Sequence, residues 1–329
     1  MTSILFQKIF QYIRSILIIT FTTGLISSTA SAADSTELRV GVASRLGQDL
    51  QFKVSGVENN LPYKIKWINF DAAPPAMDAL LADSIDTFWG GDTPAVFIAY
   101  NKRDVKVVAA NQKGLFGALL VAKDSPITSV EQLKGKRIAV YRGSGFQNSL
   151  LSILKYNGLS DKDVTFSYVS PSEGLAALIS GSVDAWGIWD PNAAIAEKSF
   201  GARILATPKV FSYGLQFASS KTLADKQKSD ALQDFLLRSY KATEWVRNHP
   251  KEWAEIQSKQ GDIRLDAAQL AASRTGGQFV PVNKELISSI QGIADNFHKL
   301  GIIDQAVDVS NVFDTRYSDF LEKQLEENN

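Results

Sequence analysis

Two glycine-rich segments hold the residue types best suited to grasping an anion. Gly143-Ser144-Gly145 falls between a β-rich run ending near Val140 and a helical stretch starting near Phe146. Glycine lets main chain come close to a ligand, and the unpaired amides of a helix start attract negative charge. Ser144 adds a hydroxyl, and Gln147 and Asn148 add side-chain amides on the first turn. The alternative makes Ser144 an ordinary N-cap. Gly90-Gly91-Asp92-Thr93-Pro94 repeats the device earlier in the chain. Pro94 suits the first turn of a helix, so Asp92 or Thr93 reads as its cap, and Asp92 reads as structural before it reads as a ligand. The amide of Gly91 remains a donor. Trp186 and Trp189 offer flat apolar walls with one N–H each, plain core burial being the competing reading. Phe146, Phe211 and Tyr213 extend such a wall, and Asp190 caps a helix that follows Pro191. Arg142, Arg274 and Arg45 are the candidates for positive charge, because a guanidinium fork matches an oxyanion. Ser44, beside Arg45, supplies a further hydroxyl.

Enzyme chemistry finds little foothold. There is no cysteine, which removes disulfides, thiol catalysis and thiolate metal sites together. The two histidines, His249 and His298, lie in the C-terminal third, and neither adjoins a serine nucleophile turn. No cluster of His, Cys or carboxylate residues has metal-ligand spacing. Gly143-Ser144-Gly145 lacks the Gly-Lys-Ser/Thr of a phosphate-binding loop. No cofactor is expected. Lys+Arg and Asp+Glu both total 35, so there is no basic surplus for nucleic acid.

The elements around these segments alternate. The runs 38–42, 65–70, 105–110, 119–122, 137–140, 164–169 and 215–218 read as strands, being short and rich in β-branched or aromatic residues. Helical spacing fills 75–82, 94–100, 146–156 and 172–180. That alternation predicts an α/β protein with parallel sheets covered by helices. After Ser219 the pattern turns almost wholly helical, and the acidic tail beyond Phe320 reads as a frayed end. The polar stretch Lys123–Pro126 marks a boundary. The chain leaves a first lobe near Ala122 and returns near Gln216. Lobe 1 is thus 33–121 plus 216–329, lobe 2 is 122–215, and a ligand cleft lies between them.

Residues 1–32 read as a secretory signal. Lys8 and Arg14 precede the apolar stretch 16–26, and Ala30-Ser31-Ala32 places the cleavage between Ala32 and Ala33. The apolar stretch is short of the roughly 18 residues a membrane anchor needs. The scarcity of sulfur, with Met77 the one methionine after Met1, reads either as sulfur sparing or as lineage composition.

Several motifs recur in this order in one family. They are Ser84-Ile85-Asp86, Gly91-Asp92-Thr93-Pro94, Pro126–Gly135, Tyr141-Arg142-Gly143-Ser144-Gly145 and Asp184-Ala185-Trp186-Gly187-Ile188-Trp189-Asp190-Pro191. The chain resembles the nitrate/sulfonate/taurine substrate-binding proteins of ABC importers, nearest the aliphatic-sulfonate branch, over almost its whole mature length. The resemblance implies a two-lobed type II periplasmic-binding fold, with the C-terminal helices packed on the first lobe. It also implies a monomeric, non-catalytic periplasmic receptor for a small oxyanion such as an organosulfonate, and a permease in the inner membrane as partner. Arg274 matches an arginine of the sulfonate branch. Trp89 and Gly90 stand where that branch often has small hydroxyl residues, which alters the pocket lip. Taurine, nitrate, a sulfate ester and a pyrimidine are the rival ligands; a buried carboxylate facing the cleft favours taurine, and a much smaller pocket favours nitrate. An exported sensor is the rival role.

Overall fold

The computed structural model describes residues 35–43, 47–113, 117–209, 212–274 and 277–327. The segment expected to be a secretory signal, with Ala32 and Ala33, and also Ser44, Arg45 and Phe211, lie outside the described residues. In chain order the strands are β1 Glu37–Val42, β2 Lys64–Asn69, β3 Thr87–Gly91, β4 Val105–Lys113, β5 Ala118–Val121, β6 Arg137–Val140, β7 Thr165–Tyr168, β8 Ala185–Ile188, β9 Arg203–Ala206, β10 Ser212–Ser219 and β11 Gly277–Val280. The helices are α1 Gln48–Ser55, α2 Ala73–Leu81, α3 Thr93–Tyr100, α4 Gly145–Tyr156, α5 Pro171–Ser180, α6 Asn192–Phe200, α7 Ser220–Ala224, α8 Lys226–Asn248, α9 Pro250–Gly261, α10 Leu265–Arg274, α11 Lys284–Lys299 and α12 Ser318–Glu326.

Local chemistry accounts for many of these limits. Helix α5 opens with a capping box, in which Ser170 accepts from the Glu173 amide and Glu173 accepts from the Ser170 amide, and Pro171 fits its first turn. Asp225 caps α8 by accepting from the amides of Gln227 and Lys228. The buried stripe of α8, Ala231, Leu232, Phe235, Leu236, Ser239, Ala242 and Val246, follows helical spacing. Strand β5 is buried at all four positions because it lies inside its sheet with helices on both faces.

The strands form two sheets. The first has the order β11-β4-β10-β3-β1-β2 and the second β7-β6-β8-β5-β9. Pairs β1–β2, β1–β3, β6–β7 and β6–β8 are parallel, as the alternation predicts. β10 and β5 run antiparallel to their neighbours, so both sheets are mixed. These are the strands that enter from the other sheet, and they arrive from the opposite direction. β5 lies wholly in the second sheet and β10 wholly in the first. The second sheet thus already holds Ala118–Val121 and the first already holds Ser212–Gln216, which the expected boundaries at 121/122 and 215/216 divide differently. The tail is also corrected: α12 is helical and buries Leu321, with Tyr317 just before it, against α8.

Beneath the entry to β3 sits a buried charge cluster. Asp86, 1% exposed, accepts from the Arg39 amide at 2.8 Å, from Arg39 Nη2 at 2.8 Å and from Lys228 Nζ at 2.7 Å. It ties β1, β3 and α8 together. Among the described residues no helix is long and apolar enough to cross a membrane.

Candidate functional site

In each sheet the strand order reverses beside the first strand of the alternating unit, at β1 between β3 and β2 and at β6 between β8 and β7. Crevices at the carboxyl ends of such strands are where ligands bind in α/β folds. Here the two crevices face one another. Residues following β1, β6 and β8, with the last three residues of β3, line a common cavity of about 300 Å³, within the range of small-ligand pockets. Gly90, Gly91 and Trp89 come from the first sheet, and Ser144, Gly145 and Trp189 from the second.

The main chains touch at two glycines. A Cβ on Gly91 would lie 3.0 Å from Gly145 Cα and 3.3 Å from Gly145 N. Gly145 opens α4, where the amide of Gln147 donates to the Ser144 carbonyl at 3.1 Å and those of Gly145 and Phe146 precede the first bond of the helix. Ser144 stands at its N-cap position with extended backbone, but its side chain makes no cap bond. Its hydroxyl donates to the Tyr141 carbonyl at 2.8 Å. Ser144 therefore caps α4 through its backbone alone, its carbonyl accepting from the Gln147 amide at 3.1 Å, while its hydroxyl is spent on Tyr141 and donates neither to the helix nor to the cavity.

Other expectations need correcting. Gly143, held at φ +74°, donates its amide to Gln147 Oε1 at 2.7 Å. The two predicted donors thus close the turn on each other, and neither lines the cavity. Asp92, 1% exposed, accepts from the Thr93 amide at 2.7 Å and the Tyr213 amide at 3.3 Å, which ties the α3 start to β10. It is structural, and Tyr213 likewise serves this tie without lining the cavity. Trp186, 1% exposed, packs its indole against Gly174 of α5 in the second-sheet core, leaving Trp189 as the indole wall on that side. Phe146 is core too. Arg142 is exposed, its guanidinium 3.8 Å from the Tyr168 ring centroid.

Arg274 and Asp190 both line the cavity. Asp190 accepts from the Ala194 amide at 3.1 Å, so it stabilises the start of α6 as its position before Pro191 suggests. Arg274 reaches from the end of α10, which packs on α6 across the cleft. Its Nη1 donates to Glu197 Oε1 at 2.6 Å and its Nη2 to Oε2 at 3.2 Å, while Nη1 stands 3.5 Å from Asp190 Oδ1. The fork expected to face an oxyanion is bound to a carboxylate instead. Burial pushes the Asp190 carboxyl above its ordinary value, against the opposing pull of Arg274.

The sequence reading missed the floor of the cavity, made by Asn111 of β4, Tyr240 of α8, Gln257 of α9 and Phe279 of β11. Its one signal is Ser239, a polar residue on the apolar stripe of α8, which accepts from Gln48 Nε2 at 2.9 Å. No group of three or more His, Cys, Asp or Glu is placed to hold a metal among the described residues.

The family described as NMT1/THI5 like matches residues 93–253. A protein of Bacillus subtilis (strain 168) named for binding aliphatic sulfonates is 30% identical over 297 residues, covering 88% of this chain and 89% of its own. This chain belongs to the aliphatic sulfonate-binding protein family. An Escherichia coli (strain K12) member with the same name is also 30% identical, over 293 residues, covering 86% of this chain and 91% of its own. Among solved structures, the alkanesulfonate-binding protein SsuA from Xanthomonas axonopodis pv. citri, bound to MOPS, superposes with a TM-score of 0.76 at 26% identity. The match covers 86% of this chain and 99% of that one. The two-sheet arrangement is thus the periplasmic binding protein fold of this family.

Proposed function

We propose that this chain is the periplasmic solute receptor of an ABC importer and that it captures an organosulfonate between its two sheets. The observation that carries this reading is the cavity itself. It sets the opening amides of α4 and the Gly91 main chain beside the indoles of Trp89 and Trp189. Neutral, converging amides suit a sulfonate, whose charge is spread over three equivalent oxygens. Indole faces suit an organic tail, which nitrate and sulfate lack. The volume of about 300 Å³ exceeds what nitrate or sulfate needs, and the names of the relatives agree with a sulfonate.

Tail burial gives the test. Each methylene removed from water contributes up to about 0.8 kcal/mol, less the cost of ordering it. Butane-1-sulfonate is therefore expected to bind at least tenfold more tightly than methanesulfonate, at about 1.4 kcal/mol per tenfold. Trp189→Ala should flatten that difference while sparing methanesulfonate. Calorimetric titration of both proteins with the two sulfonates, sulfate and nitrate measures it. Tight sulfate or nitrate binding with no dependence on the tail would overturn the sulfonate reading.

A further inference from the structure

The cavity carries polar groups that the sulfonate cradle leaves unused. The first sheet sets Gly91, Gly214, Asn111 and Phe279 opposite one another on β3, β10, β4 and β11, so the four positions share one face. Neighbouring strands lie about 4.8 Å apart, which puts Asn111 about 10 Å from Gly91 along that row. Gly214 has no side chain, and its neighbours fill the space: a Cβ there would lie 2.5 Å from Asn111 Oδ1 and 2.7 Å from Trp89 Nε1. A tail that leaves an anion held at Gly91 and follows the row passes the Trp89 indole and reaches the Asn111 carboxamide, with Phe279 beyond it; all of these but Gly214 line the cavity.

Among the described residues, eight buried side-chain atoms have no hydrogen-bond partner, and three of them belong to residues lining this one cavity. These are Gln48 Oε1, Asn111 Oδ1 and Gln257 Oε1, all carboxamide carbonyls from the first-sheet side, and Gln257 is only 6% exposed. A buried acceptor without a donor destabilises, and a guest whose donor reaches it gains that bond in full. Each carboxamide turns over a broad range about its last torsion, so it presents its oxygen to a guest without moving the backbone. We infer that Asn111 and Gln257, with Gln48, form a second subsite that takes a hydroxyl at the far end of the tail, so that the favoured class is the hydroxyalkanesulfonates. This rests on the sulfonate reading above. A hydroxyl donates to a carbonyl and accepts from the amide group beside it, whereas a terminal methyl does neither. The row also sets the tail length. With carbon–carbon bonds of about 1.5 Å, an extended four-carbon tail ending in oxygen bridges most of the gap of about 10 Å, and a two-carbon tail stops against the indole.

Calorimetric titration of the purified protein tests this with two pairs of ligands matched in heavy atoms. The long pair is 4-hydroxybutane-1-sulfonate and pentane-1-sulfonate; the short pair is 2-hydroxyethanesulfonate and propane-1-sulfonate. Wild type should bind the long hydroxylated ligand at least about tenfold more tightly than pentane-1-sulfonate and show no such preference in the short pair. Asn111→Leu and Gln257→Leu should each lower the long-pair ratio at least about threefold, since each removes one acceptor. Thermal unfolding confirms that each variant is folded, and the two wild-type comparisons stand without either variant. Equal or tighter binding of pentane-1-sulfonate by wild type overturns the inference. So does a matching preference for the hydroxyl in the short pair, which would put the acceptor beside the sulfonate, or a long-pair ratio unmoved in both folded variants. Binding of the short pair alone overturns it as well, because the cavity would then end before Asn111. Binding by wild type of neither these ligands nor methanesulfonate would instead bring down the sulfonate reading and this inference with it.

Discussion

Replacing Asp86 with alanine is expected to lower the stability of the protein by about 3–5 kcal/mol, the range seen when one member of a buried ion cluster is removed. Asp86 has no share in the cleft, so this is an effect on folding. Its Oδ2 accepts from the Arg39 amide and from Nε, and its Oδ1 from Arg39 Nη2, Lys228 Nζ and, at 3.3 Å, Thr222 Oγ1. Alanine would leave Lys228, about one quarter exposed, without this carboxylate, and Arg39 with only its weaker pair to Asp83 at 3.4 Å. Burial opposes the carboxylate charge, but hydrogen bonds from Arg39 and Lys228 outweigh it and hold the pKa below the ordinary value of 3.8. A depressed pKa means that the contribution is complete above the unfolded value and is lost as pH falls through the folded one. The gap between wild type and Asp86→Ala should therefore be full at neutral pH and shrink below about pH 4. Urea unfolding at neutral and acid pH reads this directly. A difference under about 1 kcal/mol at neutral pH would reduce the cluster to a set of weak surface pairs.

The strands were legible where apolar runs were long and separate, as at β1, β4 and β6. They were hidden where other constraints shaped the residues. β3 carries Gly90 and Gly91, which read as a loop because they serve the cleft; β11 is short and sits among helices. The two indoles could not be sorted from sequence, because β8 is buried at every position and shows no alternation to tell an inward side chain from one at the strand end. The glycine turn was found, but not the bond from Gly143 to Gln147, since a backbone donor serves a turn or a ligand with the same residue types. Arg274 was recognisable as a cleft residue, whereas its partner Glu197 lies 77 positions away on the other side of the cavity. No local period encodes a pairing across a cleft. The acidic tail shows the converse error: Tyr317 and Leu321 carry the four-residue spacing of a buried helix face, which the surrounding charges concealed.

Gly91 is where a single side chain should separate binding from folding. The main chains of the two halves come together there, and an added Cβ would meet the Cα and amide nitrogen of Gly145, main-chain atoms that cannot rotate away. The reverse substitution is milder. A Cβ on Gly145 would lie 3.4 Å from Gly91 Cα and 3.4 Å from Asp92 Oδ1, which is ordinary contact. Gly91 lies in a strand and is not among the positive-φ glycines, so valine there suits the backbone and should cost little stability. What valine should cost is the approach of the two sheets. A ligand held by donors from both sides then loses one set, and each hydrogen bond to a charged group is worth roughly 1.5–3 kcal/mol. Gly91→Val is thus expected to weaken butane-1-sulfonate binding by about a hundredfold, and Gly91→Ala by about tenfold. Gly145→Ala should stay within about threefold of wild type, because its Cβ makes only ordinary contacts. Calorimetry for affinity and thermal unfolding of the ligand-free proteins give the two readouts. Wild-type affinity in Gly91→Val would show that the ligand does not need both halves at this distance. Equal loss in Gly145→Ala would show that the contact is not the directional one described.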